Sequence, residues 1–406
     1  MPTWELIAGW TTGRISGAVT TQFMSVAGAV IYNPTEARAQ AKVYSNYTWA
    51  NLYARIVGFS ASADVPIRSR VGAANGNMLV TCTGTGVFQD TVNTDSLVDQ
   101  NLIDFSIVLA PAGTISPSVI GSTLQDTGTN KTLCLSSGDG STLASASTRF
   151  PSHDGMSDNS DYWETESDAQ YTIRRATTYS NFRIVVATNN LNGATTLGFQ
   201  VNTLAVNQTL SVSGSSTGAF EDTTNSDAIV VGDEINYKMA TAGSAGAIGV
   251  TLWQMLHTSI GREMAATNDD PGFGLTGDHW MVSGGNLQSI EITQSETQIA
   301  ARAAFTAKNL FVNVKTHGAT GGVNYYLQVN DANSALTLNV ADSTTGLFED
   351  TTNSVDIAVA DTYNYLGDRV GAANAIAPTV VGMEAGPVDV IGKRRVGFGA
   401  GRAIHL

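Results

Sequence analysis

One segment is written three times in this chain: TGVFQDTVNTDSLVDQNLIDF, TGAFEDTTNSDAIVVGDEINY and TGLFEDTTNSVDIAVADTYNY. The three align without a gap on Phe88, Phe220 and Phe348, which lie 132 and 128 residues apart. A period that long is a whole domain copied in tandem, because solenoid units repeat every few dozen residues. The 406 residues agree, since a prior of roughly 150 residues per domain gives about three domains. The copies are expected at 1–128, 129–262 and 263–384, with a Gly-rich tail at 385–406.

The repeat reaches upstream of the phenylalanine. Each copy has an Asn-led run of alternating apolar residues: Asn51-Leu-Tyr-Ala-Arg-Ile-Val, Asn181-Phe-Arg-Ile-Val-Val and Asn309-Leu-Phe-Val-Asn-Val. Apolar side chains at every second position read as a strand with one buried face. The segments ARAQAKV (37–43), DAQYTIRRA (168–176) and ETQIAARAAF (296–305) precede these runs and take the place of an earlier strand. Hairpins follow, around GAAN, NTLAVNQ and NDANS, whose Gly, Asn and Asp suit positive-φ turns. Closing strands come last: Ser118-Val-Ile, Gly249-Val-Thr-Leu-Trp-Gln-Met-Leu and Thr379-Val-Val. No long 3.6-residue periodicity interrupts them. About eight strands per copy close a two-sheet jelly roll, so the expected fold is all-β: three tandem jelly-roll β-sandwich domains.

Six motif positions are identical in all copies. They are Thr85, Gly86, Phe88, Asp90, Thr91 and Asn93 in the first, and Thr217, Gly218, Phe220, Asp222, Thr223 and Asn225 in the second. The third has Thr345, Gly346, Phe348, Asp350, Thr351 and Asn353. Asp and Thr cap backbone N–H groups, Asn tolerates left-handed backbone and Gly permits a tight bend. The expectation is a structural turn with Phe plugging the core beneath it. A calcium site at Asp222 with Glu221 or Asp227 is the competing reading. It is discounted because Gln89 and Val355 stand at the aligned positions, and hard cations need several oxygens. No metal or cofactor is therefore expected.

Chemistry-bearing patterns are missing elsewhere in the sequence. The histidines 153, 257, 279, 317 and 405 hold no metal-ligand spacing, and no HExxH pair occurs. The acidic run Asp154, Asp158, Asp161, Glu164, Glu166 and Asp168 departs from a calcium-loop pattern and reads as a solvated loop. A glycosidase would need two placed carboxylates rather than a cluster. Trp4, Trp10, Trp163, Trp253 and Trp280 read as core or interface anchors. Cys82 and Cys134 fall in different copies and read as unpaired thiols. The chain is expected not to be an enzyme.

Charge narrows the partners. Only 14% of residues are charged, against roughly 25% in ordinary soluble domains, and the net charge is −14. That balance repels nucleic acid and anionic membrane, and Lys393-Arg394-Arg395 is an isolated exception. The surface is carried by hydroxyls and amides, as in exposed assembled β proteins, yet the N-terminus has no secretory pattern and no membrane-spanning run occurs. A phage particle, assembled in the host cytoplasm and released by lysis, reconciles the two.

The string TG-x-F-E-D-T-T-N-S-D…GD-x-I-N-Y, preceded by the Asn-led strand, resembles a repeat of tailed-phage virion structural proteins, whose modules are similar to the jelly roll of the C1q/TNF superfamily. The first copy departs most, with Gln89 for Glu and Asp99-Gln-Asn for Gly-Asp. The resemblance implies a virion surface part: a capsid decoration, vertex or fibre/spike protein, with no catalytic residues. A receptor- or glycan-binding spike module is the alternative. It also implies threefold association, with itself and other virion proteins as partners and a homotrimer favoured. Two geometries stay open: a pseudo-trimer within one chain, or beads that each meet their equivalents in a homotrimer.

Overall fold

The computed structural model describes residues 4–10, 15–16, 20–26, 28–109, 113–126, 131–138, 142–153, 155–157, 163–258, 262–267, 278–281, 293–318, 320–369 and 376–386. The tail from 387 onward and Asp154, Asp158 and Asp161 of the acidic run lie outside them.

The first module is built from β1 (Trp4–Trp10), β2 (Thr20–Ser25), β3 (Tyr47–Phe59), β4 (Val65–Val71), β5 (Ala74–Cys82), β6 (Gly86–Leu97), β7 (Leu102–Leu109) and β8 (Thr114–Asp126). The second has β9 (Thr132–Gly138), β10 (Thr148–Arg149), β11 (Thr177–Asn189), β12 (Thr195–Val201), β13 (Leu204–Val212), β14 (Gly218–Ile229), β15 (Glu234–Thr241) and β16 (Ala247–His257). The third has β17 (Arg262–Thr267), β18 (Asp278–Met281), β19 (Phe305–His317), β20 (Val323–Val329), β21 (Ala332–Val340), β22 (Gly346–Ile357), β23 (Thr362–Arg369) and β24 (Ile376–Gly386).

In every module the first, eighth, third and sixth strands form one antiparallel sheet, and the second, seventh, fourth and fifth form the other. Consecutive strands mostly lie in opposite sheets or pair as a hairpin. That order is a jelly roll, so the chain is all-β with three tandem jelly-roll sandwiches.

The cores follow from the alternating runs. Trp49 meets Phe105 across the first sandwich at 5.2 Å between ring centroids. Phe182, Tyr237 and Trp253 stack at 5.5 and 5.1 Å in the second. Tyr325, Tyr363 and Tyr365 are buried in the third. Both cysteines are buried and no disulfide joins them.

Two local expectations change. The hairpins between the fourth and fifth strands tighten to two residues: Gly72-Ala73, Asn202-Thr203 and Asn330-Asp331, all with positive φ. This geometry matches the twist of paired strands, so NTLAVNQ is mostly strand rather than loop. The Phe motif is not a turn either. It lies within the twelve-residue strands β6, β14 and β22. Phe88, Phe220 and Phe348 are half-buried and pack against the margin of each core rather than plugging it.

Candidate functional site: three intermodule seams

The repeated motif builds a bulge. In the first module Ala50 pairs with Thr94 and Leu52 with Asp90, so Asn51 alone faces Thr91, Val92 and Asn93. Asn51, Asn181 and Asn309 adopt left-handed backbone there, with φ of 59°, 57° and 52°. The left-handed residue is thus the strand-leading Asn, not the motif Asn. The bulge strips N–H groups from the ladder, and the motif aspartate collects them. Asp90 Oδ1 accepts from Val92 N at 3.2 Å and Asn93 N at 3.0 Å, while Oδ2 accepts from Leu79 N and Asn93 Nδ2 at 2.9 Å each. Asp222 and Asp350 repeat the pattern on Thr224 and Asn225, and on Thr352 and Asn353. Burial pushes these carboxylates up, but the converging donors more than offset it and hold all three below the usual range. Thr85, Thr91, Thr217, Thr223, Thr345 and Thr351 are exposed, whereas Gly86, Gly218 and Gly346 take positive φ where the strand begins.

The three carboxylates named for a cation are separately employed. Asp222 serves the bulge, Asp227 accepts from Asn207 and Gln208, and Glu221 points to another module. Among the described residues no group of three or more His, Cys, Asp or Glu side chains could hold a metal.

Glu221 opens the feature that sequence reasoning missed. Residues 36–44 of the first module lie on the outer face of the second module's sheet. There Lys42 Nζ meets Glu221 at 2.9 Å, and Tyr44 Oη donates to it at 3.5 Å. Arg183 Nη1 donates to Gln40 O at 2.9 Å and Thr251 Oγ1 to Arg38 O at 2.8 Å. The Gln254 side chain brackets the Lys42 peptide, accepting from its N at 3.0 Å and donating to its O. Burial, with Glu221 adding to it, raises the Tyr44 hydroxyl far above its ordinary value.

The second module meets the third in the same way. Arg174 pairs with Glu349 and lies 5.4 Å from the Phe311 ring, while Arg175 pairs with Glu384. Lys315 joins Asp168 at 2.9 Å and covers Trp163 at 4.6 Å, so the end of the acidic run is a contact rather than a solvated loop. The third module then meets the first. Arg302 Nη1 donates to Gln89 Oε1 at 2.7 Å, its guanidinium lies 4.9 Å from the Tyr53 ring, and Tyr53 Oη donates to Gln298 O at 3.4 Å.

These are equivalent positions. Short bridges pair Ala41 with Ile103, Tyr171 with Ile235 and Ile299 with Tyr363, which aligns Tyr44 with Arg174 and Arg302, and Gln40 with Gln298. Ala54, Ile184 and Val312 pair with the three motif phenylalanines, which aligns Tyr53, Arg183 and Phe311. The apolar contacts turn the same way. Leu252 belongs to the first module's core cluster, Val380 to the second's and Val119 to the third's. Those three residues share one register position on β16, β24 and β8. Three like contacts running first to second to third to first close a ring about a pseudo-threefold axis. The chain is a single-chain ring of three jelly rolls.

No known protein family and no curated protein matches the sequence. Among solved structures, the chain is similar at 11% identity and a TM-score of 0.19 to one described as "The Triple Jelly Roll Fold and Turret Assembly in an Archaeal Virus", covering 92% of this chain and 90% of that one. It is similar at 9% identity and a TM-score of 0.21 to latent PorU from Porphyromonas gingivalis, covering 93% of this chain and 33% of that one. The strand order, not these likenesses, defines the fold.

Proposed function

We propose that this chain is a non-enzymatic virion structural protein, a decoration, vertex or fibre/spike component of C1q/TNF-like build, exposed on the particle. The observation that carries the reading is the ring itself. Three copies of one module are spent on burying each other's sheets through equivalent residues, which is how surface-building proteins use duplication. The sparse charge of the surface suits the same role. Self-association and contacts with other virion proteins then fall to surfaces outside the ring, because the sheets a homotrimer of beads would use are already covered. Gold-labelled antibody against the chain, applied to gradient-purified particles from a producing culture, is expected to mark the particle exterior. Protein found only in the soluble fractions would refute the reading.

One observation favours the receptor- or glycan-binding alternative. The turns between sixth and seventh strands expose Val98, Val230, Val231 and Val359, and cyclic symmetry sets them at one level around the ring. Cell adsorption of the purified chain, compared with a Val230→Ser/Val231→Ser variant, discriminates: adsorption lost in the variant supports a binding surface at these turns, and no adsorption by either removes the alternative.

A further inference from the structure

The three seams are alike in shape but not in charge. Glu221 answers Lys42 and Arg183 in the first seam, and Glu349 and Glu384 answer Arg174 and Arg175 in the second. In the seam between third and first modules the aligned residue is Gln89. Two guanidiniums converge there on Tyr53. Arg55 Nε donates to Tyr53 Oη at 3.3 Å, and Arg302 lies over its ring. Among the described residues neither arginine pairs with a carboxylate. Arg302 Nε and Nη2 are shielded from solvent without a hydrogen-bond partner, while its Nη1 meets Gln89 at the exposed edge.

We infer that the seam between the third and first modules is a binding site for a small oxyanion, a carboxylate or phosphate group held by Arg302 and Arg55. The other two seams show what the position is shaped to hold, since each places a glutamate carboxylate against its cations. Gln89 presents a neutral amide in that place, and no described carboxylate replaces it, so a bound anion would supply the missing negative charge. A planar guanidinium presents paired donors that fit two oxygens at once. Entry is at the exposed Nη1–Gln89 edge, where the anion takes over the acceptor role of the amide. Burial lowers the Arg302 pKa, the cost of holding a desolvated cation, and a bound anion relieves it. The net charge of −14 does not forbid this, because charges more than about 8 Å away are largely screened at physiological salt.

The test is thermal unfolding of the full chain at constant ionic strength, with sodium chloride replaced stepwise by sodium phosphate or by sodium acetate. The melting temperature is expected to rise by about 2 °C more than in chloride. Gln89→Glu, which supplies the carboxylate internally, is expected to melt higher than the wild type in chloride alone and to lose the extra response. Arg302→Gln is expected to lose it too. A response to acetate identifies a carboxylate as the natural occupant, and a response to phosphate alone identifies a phosphate group. No response in the wild type overturns the inference. So does an equal response retained in Gln89→Glu, which marks a general salt effect on burial.

Discussion

Asp222 shows how much one side chain carries in this fold. It accepts hydrogen bonds from Thr224 N, Asn225 N and Asn225 Nδ2, all within a bulge that offers those groups no ladder partner. Asp222→Ala orphans them, and the expected loss is about 1–3 kcal/mol, read as a lower urea midpoint. Because the folded pKa is depressed, the carboxylate's contribution is complete above the unfolded value of roughly 3.9 and is lost as pH falls through the folded value. Melting temperature is therefore expected to drop below about pH 4, less steeply in the variant. Asp104 is the opposite case. It is fully buried where the other modules have Asn236 and Asn364, and burial first, then Glu36, raises its pKa to about 8. A raised acid binds its proton in the folded state, so stability falls as pH rises from roughly 4 towards 8. Asp104→Asn is expected to raise the melting temperature at pH 8 and leave it nearly unchanged at pH 4. Equal shifts at both values would reject the titration account.

At the scale of elements, the third and sixth strands are legible in outline and misleading in detail. By local pattern, the Asn that leads the alternating run marks a strand start. It is the left-handed partner of a bulge, and that role depends on the register with the sixth strand rather than on local pattern. Asn181→Gly is expected to be near neutral. Asn181→Val forces a β-branched residue to φ 57° and is expected to cost about 1–2 kcal/mol by urea denaturation. The closing strand β16 carried a second signal. Its burial is continuous from Ile248 to His257, not alternating, because its outer face lies against another module. Burial at every position marks a strand covered on both sides. In GVTLWQML both alternating faces carry large apolar side chains, Leu252 and Leu256 on one and Trp253 and Met255 on the other. With Glu221 and Glu349 beside the motif Phe, this is the legible trace of the seams.

The whole molecule couples its domains through shared side chains. Leu252 is fully buried in the core cluster of the neighbouring module, so Leu252→Ala is expected to cost about 2–5 kcal/mol and to destabilise two modules together. Calorimetry is expected to show one cooperative transition for the wild type. Three resolved transitions, with only one displaced by Leu252→Ala, would mean the modules are independent. The ring also constrains assembly. Its seams are heterologous contacts that close on themselves, so growth into a larger particle has to use the ends or outer sheets.

The sequence alone determined that one domain is made three times, that it is a β sandwich, and that the motif is structural chemistry. Those conclusions rest on local pattern: alternation, turn residues, and a capping aspartate kept while neighbouring carboxylates drift. Only the tertiary structure decided that the modules close into a ring within one chain. The seam residues are Tyr44, Arg174 and Arg302 on one side, and Tyr53, Arg183 and Phe311 on the other. Equivalent positions there exchange cation for aromatic, so no repeated spelling announces them. Packing across a seam selects for complementarity between two different surfaces, and complementarity survives when both partners change together.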